Sequence, residues 1–150
     1  MSEPIVIVVR GYDPKPQGSK TYVGNGQMIE SCRDVKHWRE LVTAAALQRK
    51  RKPISGNIAM TAEYIISRPK GHFGTGKNAG TLKPSAPAYW VGVKPDLSKI
   101  QRSTEDALTK VAYDDDARIV SLVLIKRYCA VGELPGAVVT VDSAPDPVDL

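Results

Sequence analysis

Residues 94–128 read KPDLSKIQRSTEDALTKVAYDDDARIVSLVLIKRY, and this stretch decides the fold. Residues 98–112 set Ile100, Ala107, Leu108 and Val111 on one face of a helix. Asp114, Asp115 and Asp116 follow it. Adjacent carboxylates repel one another and need water, a base or a cation nearby. Residues 118–128 then run as an apolar, β-branched strand. Asp96 lies before the helix and the acidic run after it, so the two converge only if the chain turns back across the helix.

Outward from that stretch, residues 4–10 (PIVIVVR) read as a buried strand and residues 11–20 as a Gly/Pro/Lys-rich loop. TYV and QMIES around Gly24-Asn25-Gly26 read as a short hairpin. A first helix is expected from an N-cap at Ser31, with Asp34 in its first turn. Val35, Trp38, Leu41, Val42 and Ala45 face the core, and the helix ends in Arg49-Lys50-Arg51-Lys52, stopped by Pro53. Residues 56–66 and 136–142 read as strands, and YWVGV as a further one. Residues 67–88 form a Gly/Pro/Lys-rich loop without periodicity. Strand-rich segments around two helices make an α+β layer fold. The domain spans 1–142, and residues 143–150, with two prolines, form a flexible tail.

The 150 residues fit one domain, and 42% hydrophobic with 25% charged residues is ordinary globular usage. No stretch approaches the ~20 apolar residues of a membrane helix, and the N-terminus lacks the features of a signal peptide. Two cysteines give no disulfide framework, which points to a reduced, cytoplasmic setting. Cys32, His37, His72 and Cys129 lack the paired spacing of a zinc site. The net charge of +5 conceals a polarity. Residues 33–83 hold eleven bases and three acids, whereas residues 84–150 hold seven bases and ten acids. A basic middle beside an acidic later half suits a polyanion-binding surface next to a carboxylate cluster; solvated faces are the plainer alternative.

Gly71 to Asn78 imitates a phosphate-binding loop, but Asn78 stands where a magnesium-binding hydroxyl is needed, and Pro84 and Pro87 deny the helix that should follow. The acidic residues carry more. A Mg²⁺ site takes one or two carboxylates plus phosphate oxygens and water, and such a site suits phosphodiester hydrolysis. A solvated acidic turn is the structural alternative.

Arg68-Pro69-Lys70-x-His72, Lys94-Pro95-Asp96-Leu97-x-Lys99, Glu105-Asp106-Ala107-Leu108-Thr109 and Tyr113-Asp114-Asp115-Asp116-Ala117-Arg118-Ile119-Val120 together resemble RusA-type Holliday-junction resolvases. The matching blocks cover roughly residues 67–128. The resemblance implies a single two-layer domain with a mixed β-sheet and two main helices. It implies a homodimeric endonuclease of phage or prophage type that places paired nicks across a four-way DNA junction. Mg²⁺ is the implied cofactor, with Mn²⁺ as a substitute. By position, Asp96, Asp115 and Asp116 match the family's acidic ligands, Asp116 more closely than Asp115. Arg102 falls where the family has a basic catalytic residue; its plainer role is an exposed base paired with Asp106.

One departure stands out: Ser98 occupies the second Asp of the family's K-P-D-x-D. Ser98-Lys-Ile-Gln101 reads instead as a capping box. Glu105, seven residues on and on the same helical face, is a candidate to supply the missing charge as a metal ligand, although two turns separate them by ~10 Å. Lys15, Lys20, Arg49, Lys50, Arg51, Lys52, Arg68, Lys70, His72, Lys77, Lys94 and Lys99 are the candidate nucleic-acid contacts. Tyr12, Phe73, Tyr89 and Trp90 stand beside strands, where aromatics are ordinarily core; stacking on opened bases is the functional alternative. A non-catalytic junction-binding protein that lost its metal through Ser98 is the rival reading. An RNA-cutting relative is a weaker one.

Overall fold

The computed structural model describes residues 3–18, 20–24, 27–30 and 34–149. In chain order its elements are β1 (Ile5–Arg10), β2 (Lys20–Gly24), β3 (Gln27–Glu30), α1 (Val35–Leu47), β4 (Ile58–Ile66), α2 (Leu97–Leu108), β5 (Ile119–Tyr128) and β6 (Gly136–Ser143). The apolar strands pair into one mixed sheet in the order β1-β6-β4-β5, while β2 and β3 make a separate hairpin. β6 runs antiparallel to both β1 and β4, and β5 is parallel to β4. A parallel pair needs a long crossover. Here α2 lies within it, so the last turn of α2 is followed by the acidic run and then by the start of β5.

Along β1, Ile5, Ile7 and Val9 turn inward and Val6 and Val8 outward. The inward face packs with Trp38 and Val42 of α1, Met60, Ala62 and Tyr64 of β4, and Ile100 and Leu108 of α2. Both helices cover this one face, giving two layers. α2 is the unusual element, because its buried face includes Gln101, Ser103 and Thr104 beside Ile100 and Leu108.

Several local expectations need correction. α1 stops at Leu47, before the basic run, and Lys50 turns the chain away in the left-handed region (φ 52°). The four bases are therefore outside the helix. α1 starts at Val35 with Asp34 as its cap residue, so the cap is not Ser31 and Asp34 is not in the first turn; the Asn25-Gly26 turn lies outside the described residues. YWVGV forms no strand; Trp90 makes a single antiparallel bridge to Arg127. The 67–88 segment is irregular but tied, with short 3₁₀ turns at Lys70–His72 and Gly76–Asn78. Gly74 N–H donates to the Thr81 carbonyl and Lys83 N–H to that of His72, at 2.9 Å each. No long helix follows the Gly76-Lys77 pair. β6 continues to Ser143, and the Ala144 N–H donates to the Asn57 carbonyl at 2.8 Å.

On the far end of β5, Arg127 joins Glu63 of the neighbouring strand and donates to both oxygens of Glu133, at 2.6 and 2.8 Å. That guanidinium holds the Glu133 carboxyl down at about 2. A carboxyl depressed in the folded state contributes stability above its ordinary value and loses it as pH falls through the folded one. Urea melts should therefore show a parent advantage over Glu133→Gln at pH 7 that shrinks between about pH 4.5 and 2. A gap of constant size across that range would show that the pair adds nothing.

Candidate active site

The N-terminal end of α2 is built by Lys94-Pro95-Asp96. Asp96 is the cap residue, in extended conformation, and its carbonyl accepts the N–H groups of Lys99 and Ile100 at 3.1 Å. Its carboxylate makes no capping bond and stands 3.7 Å from Lys99 Nζ, half exposed. The capping-box reading of Ser98 and Gln101 is thereby overturned. Ser98 is already inside the helix, because the extended residue that follows Pro95 is Asp96. The 11–18 loop lies against this end: Gln17 N–H donates to the Lys99 carbonyl at 3.0 Å, and Ser103 Oγ to the Lys15 carbonyl at 2.7 Å. Asp13 fixes the same loop to Ser67 through two 2.7 Å bonds. Lys99 and the exposed Lys94 stand at the Asp96 end of α2, while the Lys15 ammonium lies 4.0 Å from Asp34 and 5.8 Å from the Tyr12 ring centre.

At the other end stand Glu105, Tyr113, Asp115 and Asp116. Asp115 accepts the Ala117 N–H at 2.9 Å. That bond, and the one shared with Asp116, hold its carboxyl below the usual range. Asp116 is pushed up by sharing that hydrogen bond, and further by desolvation and the negative charge of Asp115. Glu105 is half-buried; burial pushes its carboxyl up, with Asp116 and Asp106 adding to the effect, while Gln101 and Arg102 oppose it. Tyr113 is fully buried and its hydroxyl donates to the Glu105 carbonyl at 3.1 Å. Negative charge from two segments therefore meets at one place.

Among the described residues, none of Glu105, Asp115 and Asp116 forms a salt bridge. Asp106 is turned to Arg39 of α1 at 3.8 Å, so Arg102 is not spent on it in the manner expected of a surface pair. Among the described residues, no three His, Cys, Asp or Glu side chains gather closely enough to hold a metal ion by themselves. The negative charge of Asp116 reaches Glu105, whereas Asp96 stands at the opposite end of α2, beside Lys99. Two carboxylates free of salt bridges among the described residues, with Arg102 beside them, fit a small divalent cation whose remaining positions go to water and phosphate.

The basic candidates divide. Arg49 Nε donates to the Val6 carbonyl at 2.5 Å and Arg51 Nη1 to that of Pro4 at 2.8 Å. Lys50 and Lys52 stay exposed. Arg68 is a brace: it donates to the carbonyls of Cys129, Pro87 and Ala88 and lies 5.1 Å from the Tyr128 ring. His72 packs edge-on against Tyr128 at 4.9 Å. Lys70 and Lys77 are exposed. The side chain of Lys20 lies outside the described residues. Tyr89 and Trp90 are not core: they are 42% and 62% exposed and meet edge-on at 4.5 Å. Their backbone is held by β5, through Tyr128 N–H to the Tyr89 carbonyl at 2.8 Å and Val91 N–H to that of Lys126 at 3.3 Å.

With this geometry in place, comparison with protein families defines the class of protein: a DNA endonuclease. The family model of endodeoxyribonuclease RusA matches residues 11–142, and the chain belongs to that family of Holliday-junction nucleases. The match is wider than the 67–128 blocks and takes in the Lys15 loop and β6. Comparison with curated proteins gives no match. Among the described residues no helix is long and apolar enough to cross a membrane. Sequence reasoning assigned no role to Tyr113, Gln101 or Tyr64 at the site. The first lies in a quoted motif, the second carries a capping-box spacing that points elsewhere, and Tyr64 carries no local signal.

Proposed function

We propose that the chain resolves four-way DNA junctions by Mg²⁺-dependent phosphodiester hydrolysis, placing paired nicks as a homodimer. The observation that supports this best is that the charge of Asp116 acts on Glu105, with neither carboxylate in a salt bridge among the described residues, in a chain of this nuclease family. Asp116 and Glu105, with Asp115, would hold the cation, which when bound would supply an activated water and offset charge on the leaving oxygen; Asp96, at the opposite end of α2, would stand toward the same strand beside Lys99. Asp115, anchored by the Ala117 N–H, keeps its negative charge. Arg102, exposed and near Glu105, is suited to meet the scissile phosphate. Lys15, Lys94 and Lys99 position the strand through its phosphates without reading bases.

A second copy is expected on the uncovered face of the sheet, where Val6, Val8 and Val123 are exposed. Two-fold symmetry in the protein would match that of the junction. A monomer by sedimentation, with and without junction, would remove this part of the reading.

The deciding experiment is cleavage of an end-labelled synthetic four-way junction with Mg²⁺, with Mn²⁺ and with chelator. Symmetric nicks that need the cation support the proposal, and double-stranded RNA as competitor separates an RNA enzyme. Ser98, and the lack of a three-carboxylate cluster among the described residues, favour one rival: a junction-binding protein without cleavage. Tight binding without nicks, restored to cutting by Ser98→Asp, would establish the rival.

A further inference from the structure

The buried face of α2 holds an amide that the fold does not require. Gln101 is 3% exposed, between Met60 and Tyr64 of β4 and the half-buried Glu105. A leucine facing a phenylalanine at position 64 would fill the same space without desolvating any polar group. Instead the amide is fully engaged. Tyr64, completely buried, donates its hydroxyl to Gln101 Oε1 at 2.5 Å. Gln101 Nε2 faces Met60 Sδ at 3.2 Å and donates to Glu105 Oε2 at 2.9 Å.

The direction of this chain follows from its chemistry. Burial raises the Tyr64 hydroxyl far above its ordinary value, so it stays protonated and remains a donor. A donor at that place draws the amide oxygen toward β4 and turns the amide NH₂ toward Glu105. One carboxylate oxygen is thus pinned by a neutral group, and Oε1 makes no hydrogen bond among the described residues. The neutrality matters. An arginine in place of Gln101 would also orient Glu105 but would cancel its charge. An amide orients the carboxylate without setting a charge of its own against it.

We propose that Gln101, itself held by Tyr64, is a positioning residue that fixes the Glu105 carboxylate as a ligand for the divalent cation, supplying the carboxylate that Ser98 lacks. This rests on the cation-dependent nuclease reading above. Gln101 touches neither DNA nor cation; it acts through Glu105. Hydrogen-bond partners of metal ligands typically change affinity 10- to 100-fold when removed.

The test is Mn²⁺ titration followed by the electron paramagnetic resonance of the free ion, with the protein alone and on a phosphorothioate junction that resists cleavage. Parent, Glu105→Gln, Gln101→Leu, Tyr64→Phe and the double Glu105→Gln/Gln101→Leu are compared, with Glu40→Gln as remote control. We expect Gln101→Leu and Glu105→Gln each to weaken Mn²⁺ binding about tenfold or more. The double variant should bind no worse than Glu105→Gln alone, because the two act as a unit. Gln101→Leu leaves the buried Tyr64 hydroxyl without its acceptor, so its thermal stability should fall whichever role holds; the discriminating readout is Mn²⁺ affinity, which a merely structural role would not move. Should Gln101→Leu fail to fold, Tyr64→Phe reads the same chain by the same signal. Unchanged Mn²⁺ affinity in Gln101→Leu, with loss in Glu105→Gln, overturns the positioning role and leaves Glu105 as a ligand. Unchanged affinity in both overturns the inference while the nuclease reading stands on junction cleavage. A parent that binds no Mn²⁺ in either state, and cuts nothing, overturns both.

Discussion

Replacing Asp116 by Asn should leave junction binding intact and slow junction cleavage by about 10²–10³-fold, the range seen when a preorganised transition-state stabiliser is removed. Asn keeps the volume and the hydrogen-bonding capacity but removes the charge that faces Glu105. The variant lowers local negative charge, so phosphate binding should hold or tighten. Asp96→Asn should behave in the same way. The Asp96 carboxylate makes no capping bond, and its carbonyl caps α2 whichever side chain is present. Single-turnover cleavage of an end-labelled junction, beside a gel-shift titration, checks both. A variant that keeps most of its cleavage would take that residue out of the catalytic set. A variant that loses binding and cleavage together would point to phosphate positioning rather than catalysis.

The largest effect on stability should come from Trp38→Ala. Trp38 is fully buried in α1, and its Nε1–H donates to Thr104 Oγ1 of α2 at 3.2 Å. With Thr43 Oγ1, which donates to the Ala107 carbonyl at 2.9 Å, it docks one helix on the other. Truncating a buried tryptophan costs about 3–5 kcal/mol in transfer and cavity terms. Domains of this size hold roughly 5–15 kcal/mol in all, so the variant should approach the limit of folding. Trp38→Phe should lose less, because Thr104 Oγ1 retains its bond to the Ile100 carbonyl at 2.9 Å. Urea denaturation reads both. A midpoint for Trp38→Ala close to the parent would mean that the site collapses without a cavity, and that α1 does not hold α2 in place.

Much of the architecture was legible. The β-branched runs became β1, β4, β5 and β6, because such residues suit a pleated, half-buried surface. The periodic faces became α1 and α2. Less legible was anything settled by a partner distant in sequence. Ser98 and Gln101 have the spacing of a capping box, yet Gln101 answers to Tyr64, which lies 37 positions away. The 49–52 run looked like a helix end rich in charge. Two of its members instead serve the carbonyls of Pro4 and Val6. Tyr89 and Trp90 read as core by their surroundings, but their backbone lies along the end of β5 with the rings outward. The acidic residues announced a site, and the family blocks named its parts. Which carboxylate faces which was set by the crossover through α2, and no spacing rule contains that.

The carbonyls taken by Arg49 and Arg51 belong to the margin of the molecule, beside the outermost strand on one side of the sheet. A guanidinium seated there blocks the ladder that an arriving strand would need. Unguarded margins invite runaway stacking of chains, and natural sheets suppress it with charge. On the opposite margin, the stretch of β5 that precedes Lys126 carries Val120 and Leu122 in the open. A sheet stoppered at one end and open at the other can be lengthened once and then no further. Any edge-to-edge union of this chain would therefore end at a pair, and a fibre would have to begin by dislodging two arginines.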